Sequence, residues 1–265
     1  MHYTREVTAI GPRSFGTAGH DRLQAYFRSR LKGDNVEEDF FQANTPAGKF
    51  EGRNFIAKYP GTKEGIIIIA GHYDTKYGIK NFVGANDGGA STGLLLEFAN
   101  HFRAQTKAGP RPGYSVWLVW FDGEEAVRDW TATDSLYGSR HLAQKLRAAG
   151  MLMKIKAFFL VDMIGDADLN IDKESYSTSW LQDLVYKAAS KLGHQSYFFG
   201  RSLEIEDDHL PFVQMGVPSV DLIDLDYGPG NSYHHTTKDT IDKVSAKSLG
   251  IAGDVVLGTV ALLEK

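Results

Sequence analysis

The chain has 265 residues, of which 42% are hydrophobic and 23% charged, and a formal net charge of -4. These proportions belong to a globular fold with a large core, and they give no electrostatic case for nucleic acid or an anionic membrane. Without cysteine, disulfides and thiolate chemistry are excluded, so any metal must rest on imidazole and carboxylate.

The N-terminal MHYTREVTAIGPRS has no apolar core of the kind a signal segment carries. Helical spacing predicts a first helix over His20–Leu31. Strands follow at Asn54–Tyr59 and Gly65–His72. The isoleucine run inside the second, Ile66–Ala70, is far too short to cross a bilayer. A helix over Gly89–Ala104 places Leu94, Leu95, Phe98 and Phe102 on one buried face. Lys107–Gly113 reads as a connecting loop, since periodic segments resume on both sides. Further strands are expected at Ser115–Phe121, Ala157–Asp162, Ser196–Phe199 and Ser219–Ile223. Further helices are expected at Gly138–Ala149, Ser179–Leu192, His209–Met215 and Val244–Leu263. No repeat or low-complexity tract interrupts them. Continuous apolar strands alternating with helices predict one domain over 1–265, with a mixed or parallel sheet between helical layers.

Open sheets of this kind bind ligands at the carboxyl ends of their strands. Here those ends are unusually polar. The strand ending at His72 is followed by Asp74, and the next helix opens behind Asp87. The following strand runs into Asp122, Glu124 and Glu125, and the one after it ends on Asp162. Asp207, Asp208 and His209 precede a short helix, and His234 and His235 follow the last strand. Each has an ordinary explanation taken singly. Asp87 and Asp207 could cap helices, and His72 could be a satisfied core histidine. Asp162 fits such an account least, because an unpaired carboxylate in an apolar strand is expensive. Together they predict a cation site. With His and carboxylate donors, zinc is the natural ion, and Mn²⁺ or Co²⁺ share the donor type. Adjacent side chains in extended backbone diverge, so of Glu124 and Glu125 one can hold the metal while the other faces substrate as acid/base.

HYDTK, NDGGAS, FDGEE, VDMIG and HHTTKDT resemble, in that order, the motifs of the zinc aminopeptidase superfamily. FDGEEA, a following Trp, DSLYGSRHLA and IEDDHLPF resemble one branch of it, the animal-type glutaminyl cyclases, here as a bacterial member. The resemblance covers nearly the whole chain from about Arg13. It implies a three-layer α/β/α sandwich with a central mixed, mostly parallel sheet of the phosphorylase/hydrolase-like kind. It also implies a zinc-dependent glutaminyl-peptide cyclotransferase that converts N-terminal glutamine to pyroglutamate and releases ammonia. By resemblance one zinc is held by Asp87, Glu125 and His235. Glu124 is the acid/base, with Asp162 and Asp207 in a hydrogen-bonded acidic network around it. Trp130 walls the substrate pocket, which suits a cyclisation in which water is the competing nucleophile. Asp87–Gly88 is a candidate cis peptide.

The chain departs from that pattern near its last site motif. The animal enzymes have Trp directly before the ligand His, where this chain has His234. They also have a Phe upstream, for which Tyr227 is the candidate stand-in in a longer, glycine-rich loop. Both are carried forward as substrate-binding positions. The rival reading is a two-zinc aminopeptidase, whose second ion would use His72 and Asp162. The expected partners are peptide or protein N-termini bearing Gln, met by a monomer, with no nucleic acid and no membrane. The resemblance favours an extracytoplasmic location, periplasmic or secreted with a leader removed.

Overall fold

A computed structural model describes all of residues 1–265. Eight strands and seven helices run in the order α1 (His2–Ala9), α2 (Ala18–Arg30), β1 (Val36–Thr45), β2 (Gly48–Tyr59), β3 (Gly61–His72), α3 (Gly89–Thr106), β4 (Arg111–Phe121), α4 (Tyr137–Ala148), β5 (Ile155–Asp162), β6 (Ile171–Glu174), α5 (Ser179–Lys191), β7 (Phe198–Leu203), α6 (Leu210–Val213), β8 (Ser219–Ile223) and α7 (Ala246–Leu263). Six strands form one sheet in the order β1-β2-β4-β3-β5-β8. The β1–β2 and β2–β4 pairs are antiparallel, while β4, β3, β5 and β8 are parallel.

The parallel strands are apolar throughout because both their faces are covered. Ile67, Ile69, Phe159 and Val161 join α3, α5 and α7 in the larger core. Ile66, Ile68, Ala70, Phe158 and Leu160 point the other way, onto Leu142 and Leu146 of α4 and Phe212 of α6. Successive strand residues alternate faces, so one isoleucine run supplies both layers. This is the expected three-layer α/β/α sandwich with a mixed, mostly parallel sheet. Helix α7 is long and apolar enough to cross a membrane, but half of it is buried. It packs against α3 and α5 as a core helix.

Four elements differ from expectation. Helix α1 and strands β1 and β6 are new. Helix α1 is only 8 residues long and buries Thr4, Val7 and Thr8, of which one is apolar, while β1 carries Glu37, Glu38 and Asp39, which mask its alternation. The strand expected at Ser196–Phe199 runs instead over Phe198–Leu203. It pairs with β6 in a separate two-stranded sheet rather than with the main one.

Parallel strands point the same way, so β3, β4, β5 and β8 deliver their carboxyl ends to one edge. His72 lies opposite Phe121, and Asp162 opposite Ile223. The site is built there.

Candidate metal centre and active-site cavity

Two buried aspartates fix the backbone that carries the candidate ligands. Asp74, just past β3, accepts the amide N–H of Glu124 on Oδ1 at 3.1 Å and that of Glu125 on Oδ2 at 3.3 Å. Asp239 does the same for Asn86 at 2.8 Å and Asp87 at 3.1 Å. The loop from Tyr73 to Gly84 is clamped by the buried guanidinium of Arg13, which donates to the carbonyls of Tyr73, Val83 and Gly84 at 2.9, 2.5 and 2.9 Å. Burial lowers Arg13 to about 10 even beside Asp239, Asp87 and Asp74, so it stays a cation at neutral pH. None of these three roles is legible from residue type. The available signals were a strand-end Asp two residues after His72 and an acid inside TTKDT.

All peptide bonds are trans, including Asp87–Gly88. The chain turns there through Gly88 at φ +74, and a Cβ at that residue would sit 2.7 Å from the Asp74 carbonyl oxygen. Only glycine accepts both conditions. Gly88, not Asp87, is the N-cap residue of α3, and no side chain caps that end. The Asp87 carboxylate is therefore free to face the site.

Asp87, Glu125 and His235 come together. His235 Nε2 lies 3.3 Å from Asp87 Oδ2 and 3.1 Å from Glu125 Oε1. Asp87 Oδ2 and both oxygens of Glu125 are buried without a hydrogen-bond partner. Lys76 Nζ stands 3.4 Å from Glu125 Oε2. Burial would lower His235, but Asp87 and Glu125 outweigh it and lift the imidazole to about 10. Burial would raise Asp87, but His235 and His72 hold it well below the usual carboxylate range. Orphaned anionic oxygens converging on one imidazole are costly unless a cation is shared among them. Two carboxylates and a histidine fit zinc with a position left open.

His234 lies beside that trio, its ring centroid 3.9 Å from that of His235. One of its ring nitrogens is within 4.8 Å of ligand atoms of Asp87 and His235. A second trio is also present. His72 Nε2 is 3.2 Å from Asp162 Oδ1 and 3.3 Å from Asp87 Oδ1.

Glu124, Asp162 and Asp207 face the same cavity, of about 350 Å³, together with Trp130, His234 and the three candidate ligands. Burial, with Glu125, Asp207 and Asp208 nearby, pushes Glu124 well above the ordinary carboxyl range despite His72. Burial and the charges of Asp162 and Asp208 do the same to Asp207. The acidic network was expected to be hydrogen-bonded throughout. Instead no direct hydrogen bond joins these three. Asp162 takes His72 and its neighbour Met163 N–H, and Asp207 takes Asp208 N–H. Asp207 Oδ2 is buried without a hydrogen-bond partner, in the cavity that Glu124 and Asp162 also line. Trp130 is 39% exposed, and its indole N–H donates to Glu206 Oε2 at 3.2 Å. It forms part of the mouth rather than of the core.

Tyr227 requires correction. It is fully buried, its hydroxyl donates to Asp239 Oδ1 at 2.9 Å, and it does not line the cavity. The loop turns it inward because Asp239 still has acceptor capacity beyond the Asn86 and Asp87 amides. Tyr227 supports the ligand loop from below and cannot touch a substrate.

The model of peptidase family M28 matches residues 54–260. A glutaminyl-peptide cyclotransferase of Drosophila melanogaster is 31% identical over 91% of this chain and 75% of its own length. A glutaminyl cyclase crystal structure from an Acidobacteriales bacterium superposes with a TM-score of 0.96 at 50% identity, covering 99% of this chain and 92% of that one. A Zn-dependent exopeptidase of Parabacteroides distasonis superposes with a TM-score of 0.85 at 26% identity, over 100% and 96% of the two chains.

Proposed function

Since the chain belongs to peptidase family M28 and, within it, to the glutaminyl-peptide cyclotransferases, we propose that it cyclises the N-terminal glutamine of peptides or proteins to pyroglutamate. The observation that carries this reading is the orphaned Asp87 and Glu125 oxygens beside His235, with buried Glu124 in the same cavity.

We assign Asp87, Glu125 and His235 as the zinc ligands. Zinc bound there supplies Lewis-acid polarisation of the side-chain carbonyl of the substrate. Glu124 takes a proton from the attacking α-amine and returns it to the leaving nitrogen. A bond forms between the α-nitrogen and the side-chain carbonyl carbon, the amide C–N bond breaks, and ammonia leaves. Its raised proton affinity, set by burial and neighbouring carboxylates, suits a group that must carry a proton as well as take one. Asp207 and Asp162 offer free lone pairs to the amide and amine N–H groups. The nucleophile is tethered to its target, so orientation supplies much of the rate, and Trp130 at the mouth keeps the glutamine side chain folded and water out. Peptide and protein N-termini are the partners, met by a monomer outside the cytoplasm.

One observation favours a second reading. The His72, Asp87 and Asp162 trio could hold another cation, as a two-zinc aminopeptidase requires. Mass spectrometry of a Gln-Ala peptide incubated with the protein, with and without chelator, separates the two. Chelator-sensitive loss of one ammonia from an intact peptide is expected. Free glutamine with a shortened peptide would replace the cyclase by the aminopeptidase.

A further inference from the structure

The cavity wall changes character from floor to mouth. At the floor the carboxylates are buried among the candidate metal ligands. At the mouth stand Glu204 and Glu206, both exposed, flanking half-buried Ile205 in the segment after β7. Each is attached to an exposed aromatic. Glu206 Oε2 accepts the Trp130 indole N–H at 3.2 Å. Glu204 Oε1 accepts the Tyr176 hydroxyl at 3.3 Å. Trp130 and Tyr176 are both 39% exposed, enough to offer ring surface to a ligand. No lysine or arginine lines the cavity. Of the nearby cations, Arg201 pairs with Asp172 and Asp226, while Arg140 donates to the carbonyls of Ala132 and Ser135 and offsets part of the Glu206 charge.

A carboxylate bound to the polar edge of an exposed aromatic can receive a cation through a charge-assisted hydrogen bond, with the neighbouring ring surface adding a weaker attraction. On the cyclase reading the first substrate residue occupies the floor, so the next residues leave past Trp130, Glu204 and Glu206, which line the cavity. We propose that Glu204 and Glu206, with Trp130 and Tyr176, select peptides in which lysine or arginine follows the N-terminal glutamine. This inference rests on the cyclase reading above and adds the class of substrate. Charge pairs at exposed sites are modest, so two such carboxylates should favour Gln-Lys over Gln-Glu peptides by about 10-fold at low salt.

The test compares kcat/KM for Gln-Lys, Gln-Ala and Gln-Glu peptides with the zinc-loaded enzyme and with the E204Q/E206Q double variant. The quantity read is the Gln-Lys to Gln-Glu ratio within each enzyme, so any general loss in the variant cancels. We expect a ratio of roughly 10 in the wild type, falling toward 1 in the variant and in 0.5 M salt. A wild type that cyclises all three peptides equally overturns the charge selection alone. So does a ratio that survives the double substitution. A wild type that cyclises none of them overturns the cyclase reading with it.

Discussion

Asp74 offers the sharpest test of how the glutamate pair is held. It is buried, and each oxygen takes one backbone amide, Glu124 at 3.1 Å and Glu125 at 3.3 Å. Asp74→Asn preserves size but leaves one oxygen, and it turns an NH₂ group toward the second amide. One charge-assisted bond is lost and one buried N–H is left facing a donor, for about 3 kcal/mol after relaxation. In a chain of this size that corresponds to a melting temperature lower by about 6–12 °C. Because this pair of bonds positions the Glu124–Glu125 backbone, kcat should fall by about 100-fold, the order expected of a displacement near 1 Å. Thermal unfolding of chelated protein and steady-state kinetics with zinc restored measure the two effects separately. A variant that melts within about 2 °C of wild type and turns over within threefold would refute the argument. A large melting shift with intact kcat would make Asp74 a staple of the fold without a positioning role.

Glu124→Gln should abolish nearly all turnover while bound zinc stays at one equivalent per chain; loss of zinc would mean the two glutamates have exchanged roles. His235→Ala should strip the metal, read by elemental analysis, and a metallated, active variant would sink the ligand set. His234→Trp restores the pattern of the animal enzymes, so activity should persist with an altered KM; an inactive, metal-free product would make His234 a ligand. Asp134 gives a pH test. Burial raises its carboxyl, but the Tyr137 hydroxyl and the amides of Val127, Arg128 and Asp129 outweigh it and hold it below its ordinary value of 3.8. A lowered folded value means its stabilisation is present above pH 3.8 and is lost as pH falls through the folded value. Asp134→Asn should therefore flatten the acid limb of stability against pH, and an unchanged limb would refute the assignment.

What could be read in the sequence follows burial. Strands β3, β4, β5 and β8 were legible because both faces are apolar, and Ile66–Ile69 supplies both layers at once. Strand β1 was not, because Glu37, Glu38 and Asp39 hide its period. The site residues were legible as types at strand ends, and Asp87, Glu125 and His235 do meet. Tyr227 shows the limit. Whether a loop tyrosine faces a ligand or the core depends on which acceptor lies beneath it, and here that is Asp239, twelve residues away. Asp74 and Asp239 were opaque for a related reason. The partners through which they hold the ligand segments are backbone amides, which every residue but proline carries, so no side-chain pattern reveals that role.

The candidate ligands and acids come from five separate connections, spread from His72 to His235 along the chain. No hairpin or single βαβ unit contains all three of Asp87, Glu125 and His235. The metal centre therefore cannot exist until β3, β4, β5 and β8 have all found their places, which requires the distant pairings that fold slowly. Zinc capture would then mark the end of folding. It would deepen the native basin in proportion to free zinc, without helping any partly assembled sheet to form.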